Sequence, residues 1–333
     1  MVSEWGKGPR RWLVLGLAVA LVIVAGCSSG DHDDTTEAAP VPEPPFAVGR
    51  RTMELVDDSR PTDAWPQAGV EAAPNRTIET LVVYPAAGEP GTATAPQDQS
   101  EGIESVESPG STEDAPPAEG RFPLVVWAHG WNSKGENFLP YAELWARRGY
   151  VVALPTFPLS REGVADGDDV QNQPGDVSFV IDQVLDLGIA DPEHIAVAGH
   201  SLGSATVFGV VYNSCCADDR IDAAIAISGG GPIYRGGDYD DPPPTPLLLV
   251  HGARDQGVPI GVGDATYANH EGPVTYLRLD QADHNDLFWG PDGEVLETAI
   301  VAFLDDQLRG DPSGMEALPG EVEASRRGTL QTK

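Results

Sequence analysis

Three short segments carry residue types that could do nucleophilic acyl chemistry together. Gly199-His200-Ser201-Leu202-Gly203 follows the apolar run IAVAG and opens the helical run LGSATVFGVVY, so Ser201 falls on a strand-to-helix turn. Such a turn lifts a hydroxyl above a sheet, while the flanking glycines let strand and helix approach closely. The helix amino terminus favours developing negative charge, and the backbone N–H of Leu202 is placed to donate to an oxyanion. A serine nucleophile needs a base, and the base needs an acid to hold its tautomer. After PLLLV comes His251-Gly252-Ala253-Arg254-Asp255, and after VTYLRL comes Asp280-Gln281-Ala282-Asp283-His284. Asp255 and His284 therefore lie just beyond the carboxyl ends of two strands, and the chain order Ser201, Asp255, His284 suits nucleophile, acid and base. Taken singly, Asp255 reads equally as a turn former and His284 as a solvated loop histidine; their order at separate strand ends argues otherwise. Asp280 is a distant second candidate for the acid. A second oxyanion donor is expected at the backbone N–H of Trp131, in the His129-Gly130-Trp131-Asn132 segment after LVVWA. The side chains of Trp131, Phe157, Phe288 and Trp289 are candidates to wall the acyl site, with core packing the equal alternative.

The elements that must position these residues alternate along the chain. Runs at Leu124–Ala128, Tyr150–Pro155, His194–Gly199, Ile221–Ser228, Pro246–His251 and Val274–Leu279 read as strands. Helical patterns fall at Glu136–Arg148, Asp176–Leu187, Leu202–Tyr212, around Ile260–His270 and near Gly293–Leu308. LVVWA, IAVAG and PLLLV are apolar throughout, as central parallel strands covered on both faces should be. Thr52–Val56 and Thr80–Val83 add antiparallel strands at the amino-terminal edge. The expected class is α/β, with a mostly parallel central sheet and helices on both faces. Gly229 to Thr245 is too short for a helical lid, which predicts an open site acting on short-acyl or exposed esters without interfacial activation.

The chain has 333 residues and a formal charge of −32, which excludes a nucleic-acid binder because no cationic surface is available to neutralise phosphates. Residues 1–26 read as a bacterial lipoprotein signal: Lys7, Arg10 and Arg11 precede an apolar run from Trp12 to Ala25, ending in Val24-Ala25-Gly26-Cys27. Cys27 would carry the lipid, anchoring the chain to the extracytoplasmic face of a membrane; an uncleaved span is the alternative that the short run disfavours. Cleavage leaves 17 Lys and Arg against 51 Asp and Glu, a net charge of −34, so attachment would rest on lipid and not on a basic patch. Residues 27–45 form an acidic, Pro-rich tether, 46–310 the catalytic-type domain and 311–333 a C-terminal tail. The acidic stretch 89–120 is expected as a disordered hairpin loop inside that domain. Cys215 and Cys216 are adjacent and read as structural, a vicinal disulfide being one of their options. No Cys/His metal spacing and no phosphate-binding glycine loop occurs, so no metal or cofactor is expected. The acidic runs at 166–169 and 238–241 read as solvated loops.

From about Gly49 to Leu308 the chain resembles the α/β-hydrolases of the bacterial platelet-activating-factor acetylhydrolase-like and dienelactone-hydrolase-like esterase group. The segments that carry the likeness are TMELVDDSRP, TLVVYPA, VVWAHGWNS, GDVSFVIDQVLD, GHSLGSAT, HGARDQGVP and ADHNDL. GHSLG and HGARDQGVP mark the superfamily, whereas TMELVDDSRP and GDVSFVIDQ tilt toward the acetylhydrolase-like group. The resemblance implies Ser201 as nucleophile, Asp255 as acid, His284 as base, and Trp131 and Leu202 as oxyanion donors. Ser204 stands where many relatives have glycine, and dienelactone hydrolases use a cysteine where this chain has Ser201. The expected activity is carboxylic-ester hydrolysis through an acyl-enzyme, on a small-molecule or polymeric ester. A polyester-, cutin- or lipid-active hydrolase with the same triad is the alternative within enzymes. A binding lipoprotein on the same fold is the alternative outside them.

Overall fold

The computed structural model describes residues 44–91, 110–231, 233–240 and 242–333. The signal segment, Cys27, the tether up to residue 43 and residues 92–109 of the acidic insertion lie outside the described residues.

Among the described residues ten strands form one sheet, in the order β10-β9-β8-β7-β6-β4-β5-β2-β1-β3. Its centre is parallel: β4 (Phe122–Ala128), β5 (Val151–Thr156), β6 (Ala190–His200), β7 (Ala223–Ile227), β8 (Leu247–Gly252) and β9 (Val274–Leu279). β1 (Ala47–Asp57) and β2 (Arg76–Ala86) pair antiparallel with each other, and β2 pairs antiparallel with β5. These are the antiparallel edge strands that the amino-terminal sequence predicts, each longer than the apolar run that signals it.

Strand alternation divides the core in two. Val125 and Trp127 of β4 face α1 (Leu139–Arg147), α5 (Gly290–Arg309) and α6 (Ser313–Ser325), whereas Leu124, Val126 and Ala128 face α2 (Gln173–Leu185) and α3 (Leu202–Tyr212). With helices on both faces, β7 and β8 are buried at every position, which is why they read as unbroken apolar runs. α4 (Gly261–Asn269) packs beside β8 on the α3 side. The chain leaves β4 for β5 on one side and then crosses back to β6 on the other, so the carboxyl ends of β4 and β6 flank a topological switch point.

Two expectations are corrected. The segment 311–333 is no tail: α6 buries Leu318 and Val322, and β10 (Gly328–Thr332) pairs antiparallel with β9, covering an edge that would otherwise be open. The carboxyl-terminal end of the acidic insertion is also structured. Ser111–Glu113 form β3, parallel to β1, and the Tyr84 hydroxyl donates to the Ala115 carbonyl at 2.9 Å. The free edge of β1 supplies the hydrogen-bonding groups that order it. Cys215 and Cys216, at the end of α3, form a vicinal disulfide.

Candidate active site

Ser201 sits between β6 and α3 with φ 56° and ψ −117°, a conformation disfavoured for a residue with a side chain and held here by its surroundings. Its N–H donates to the Ile227 carbonyl at 2.9 Å, and its own carbonyl accepts from Ser204 N–H at 3.0 Å. The glycines on either side are required by space. A Cβ on Gly199 would run into the Gly203 carbonyl, and one on Gly203 into the Ala128 carbonyl of β4. That close approach sets the helix amino terminus directly against the sheet edge.

His284 and Asp255 converge on this turn from the loops after β9 and β8. His284 Nε2 lies 2.9 Å from Ser201 Oγ, and its Nδ1 lies 2.8 Å from Asp255 Oδ2. The Asp255 side chain is fully buried, whereas that of His284 keeps 19% of its surface exposed. The second Asp255 oxygen accepts from Val258 N–H at 2.7 Å, so both carboxylate oxygens are oriented. A carboxylate on Nδ1 fixes the tautomer that leaves Nε2 free to take a hydroxyl proton. Asp280 donates its backbone N–H to the Arg327 carbonyl, while Asp283 accepts from the N–H groups of His284 and Gln256, and neither is paired with the His284 ring.

The loop after β4 reaches the same place. A Cβ built on Gly130 would lie 3.3 Å from Ser201 Cβ, so the chain passes directly over the nucleophile position before Trp131. Among the described residues no turn or loop carbonyl accepts from the N–H of Trp131 or Leu202, which leaves both donors available to a ligand oxygen. Three interactions brace this loop. Asn132 N–H donates to Ser160 O at 2.8 Å, Asn132 Oδ1 accepts from Gly163 N–H at 3.0 Å, and Trp131 Nε1 donates to Ala165 O at 2.7 Å. Trp131 is 57% exposed. Of the other candidate walls, Phe157 is fully buried beneath the site and Phe288 packs into the core, its ring 5.0 Å from that of His200.

Several supporting residues escape a motif-based reading. His129, buried, accepts from Phe157 N–H at its Nε2 and so donates from Nδ1 to the Gly130 carbonyl at 2.7 Å. Burial, only partly offset by that hydrogen bond, pushes its pKa down to about 4. His200 donates from Nε2 to the His284 carbonyl at 2.8 Å, and burial together with the neighbouring His284 brings its pKa to about 3. His200 stands next to Ser201 and His129 two residues before Trp131, and that proximity is the only signal the sequence carries for them.

Asp166 and Asp169 correct the expectation of a solvated acidic loop. Both are buried, and Asp169 pairs with the fully buried Arg76 of β2, which also holds Asp176 of α2 at 2.6 Å. Burial opposes the guanidinium charge, but the carboxylates of Asp176 and Asp169 outweigh it and raise the Arg76 pKa above the usual range. Asp169 Oδ2 also accepts from Leu159 N–H, linking this ion cluster to the segment that braces Asn132. Among the described residues no group of His, Cys, Asp or Glu has the arrangement of a metal site. Residues 229–231, 233–240 and 242–246 contain no helix or strand, in keeping with the expected lack of a helical lid.

No protein-family model matches the chain. YfhR, an uncharacterized protein of Escherichia coli strain K12, and its counterpart in strain O157:H7 are each 23% identical over 208 residues, spanning 56% of this chain and 72% of theirs. Among solved structures, a ferulic acid esterase from Streptomyces cinnamoneus superposes with a TM-score of 0.64 at 23% identity, over 89% of this chain and 98% of that one. Strand order, the helices on both faces and this superposition agree: the chain has the α/β-hydrolase fold.

Proposed function

We propose that this protein is a serine carboxylic-ester hydrolase. The observation that carries the reading is the Ser201 Oγ, His284 Nε2, His284 Nδ1, Asp255 Oδ2 relay at the sheet's switch point, with contacts of 2.9 and 2.8 Å. In the proposed reaction Ser201 Oγ attacks the ester carbonyl while its proton passes to His284 Nε2. The negative charge that develops on the carbonyl oxygen is met by the N–H groups of Leu202 and Trp131. His284 returns the proton to the leaving alcohol, and water then releases the acyl group by the same steps reversed. Asp255 stays ionised, steadying the imidazolium.

The absence of helix and strand in the described residues between β7 and β8 supports short or exposed esters as substrates. Because a structurally similar protein is a ferulic acid esterase, feruloyl esters belong beside p-nitrophenyl esters of two to sixteen carbons in the assay. The full chain in mild detergent should hydrolyse short esters fastest, and Ser201→Ala should remove that activity while leaving the fold. A folded wild-type chain inert toward the whole panel would favour a binding protein on this fold instead. Anchoring through a lipid on Cys27 is part of the proposal, supported by the signal-like run before it. Mass spectrometry of the expressed protein should find residues 1–26 removed and a lipid on an amino-terminal Cys27, both lost in Cys27→Ala, and an unlipidated wild-type Cys27 would argue for another mode of attachment.

A further inference from the structure

Asp255 sits on a loop yet must present one chosen oxygen to His284, and a buried imidazole braces that loop. His251 belongs to β8 and shares a strand face with Leu247 and Leu249, so alternation turns its ring toward the α3 and α4 side. Its side chain is fully buried, with Nε2 at 2.8 Å from the Val258 carbonyl and 3.4 Å from Asp255 Oδ2. A carbonyl only accepts, so Nε2 carries the proton. Nδ1 is then a bare lone pair, buried without a hydrogen-bond partner. A Cβ on Gly263 would lie 2.6 Å from that nitrogen and 2.7 Å from the Tyr276 hydroxyl, so α4 can close over the ring only because residue 263 has no side chain. The Val258 peptide is thus held at both ends. Its carbonyl accepts from His251 Nε2–H at 2.8 Å, and its N–H donates to Asp255 Oδ1 at 2.7 Å.

We infer that His251 is a positioning residue of this site: by holding the Val258 peptide it locks the Asp255–Val258 turn so that Oδ2 faces His284. The inference rests on the hydrolase reading above. The groups facing His251 are Asp255 on its own loop, His284 after β9, Asp264 on α4 and the Tyr276 hydroxyl on β9, itself bonded to Asp264 at 3.1 Å. Burial outweighs the hydrogen bond to the Val258 carbonyl and the two carboxylates and lowers the His251 pKa, which favours the neutral ring. Neutrality suits the role, since an imidazolium this close to Asp255 would compete with His284 for the carboxylate.

The test compares the wild-type full chain with His251→Leu and His251→Gln. Turnover of p-nitrophenyl acetate is read per active site titrated with a fluorophosphonate, together with the low-field proton resonance of His284 Nδ1–H. For His251→Leu, kcat per titrated site falls about ten- to a hundredfold with KM little changed, the scale of a misplaced catalytic group. The acid limb of kcat/KM moves to lower pH, because a loosened Asp255 no longer holds the His284 imidazolium, and the resonance shifts or disappears. His251→Gln, whose amide can reach the Val258 carbonyl, recovers most of the rate. If the Leu variant fails to fold, His251→Asn, too short to reach that carbonyl, carries the same expectations. Wild-type values for kcat per site, pH profile and resonance in the Leu or Asn variant would overturn the inference. The resonance needs no substrate, so it judges the positioning role even if the wild type hydrolyses no ester, an outcome that would sink the hydrolase reading instead.

Discussion

The Ala128 carbonyl at the end of β4 occupies the space where a side chain on Gly203 would begin. The contact joins the strand before Trp131, one of the two oxyanion donors proposed above, to the helix that begins with the other, Leu202. Gly203→Ala should therefore push α3 away from the sheet, destabilising the protein by about 1–3 kcal/mol as an overpacked site does. Activity should fall further than stability, because the Leu202 N–H moves with the helix. Thermal melting and ester turnover on the same sample check both, and an unchanged melting temperature would contradict the packing described.

Asp255 contacts His284 from a fully buried position, which makes its charge matter more than its size. Asp255→Asn keeps the shape but lets the amide donate toward Nδ1, favouring the wrong imidazole tautomer. By analogy with other such triads, kcat should drop by roughly 10⁴. Ser201→Ala, His284→Ala and the combined variant should all leave about the same residual activity if Ser201, His284 and Asp255 act as one unit, as proposed. Losses that multiply across the variants would argue that the three do not share one step.

His129 is buried in its neutral form, with a folded pKa of about 4 against an ordinary value of 6.5. Between those values the unfolded chain binds more protons than the folded one, so stability rises with pH there. The contribution is complete above about pH 6.5 and is lost as pH falls toward 4, a span worth roughly 3 kcal/mol. Urea unfolding at pH 7 and pH 4.5 should show the loss, and His129→Asn should make the pH slope shallower. His200, titrating near 3, extends the same trend to lower pH.

Arg76 is the cation that two buried carboxylates, Asp169 and Asp176, share. Arg76→Met would leave Asp169 without its cation and Asp176 with Arg60 alone, at 2.9 Å, and breaking such a cluster costs about 3–5 kcal/mol. Adding Asp176→Asn should recover part of that loss, giving a non-additive double variant in urea unfolding. Since Asp169 also holds Leu159 N–H near the Asn132 brace, Arg76→Met should lower ester turnover as well.

Much of this architecture was legible in the chain itself. Short, β-branched apolar runs without alternation are the pattern of strands covered on both faces, so LVVWA, IAVAG and PLLLV point to a parallel sheet. The G-x-S-x-G turn, HGARD and ADH segments placed Ser201, Asp255 and His284 at strand ends by local pattern alone. That these three side chains come within hydrogen-bonding distance depends on β6, β8 and β9 lying in one sheet with β7 between the first two, a long-range order that no local pattern encodes. Residues 311–333 looked like a tail because their polar surface dilutes a two-residue apolar stripe, Leu318 and Val322, whose meaning comes only from the helix it packs against. Asp169 looked solvated because Arg76, its partner, is 93 residues away. His129, His200 and His251 carry no pattern of their own; each acquires its role from one carbonyl or N–H brought to it by the folded backbone. Periodicity and turn chemistry are local and survive in the sequence. The pairing of buried polar groups is settled only when distant strands close around them.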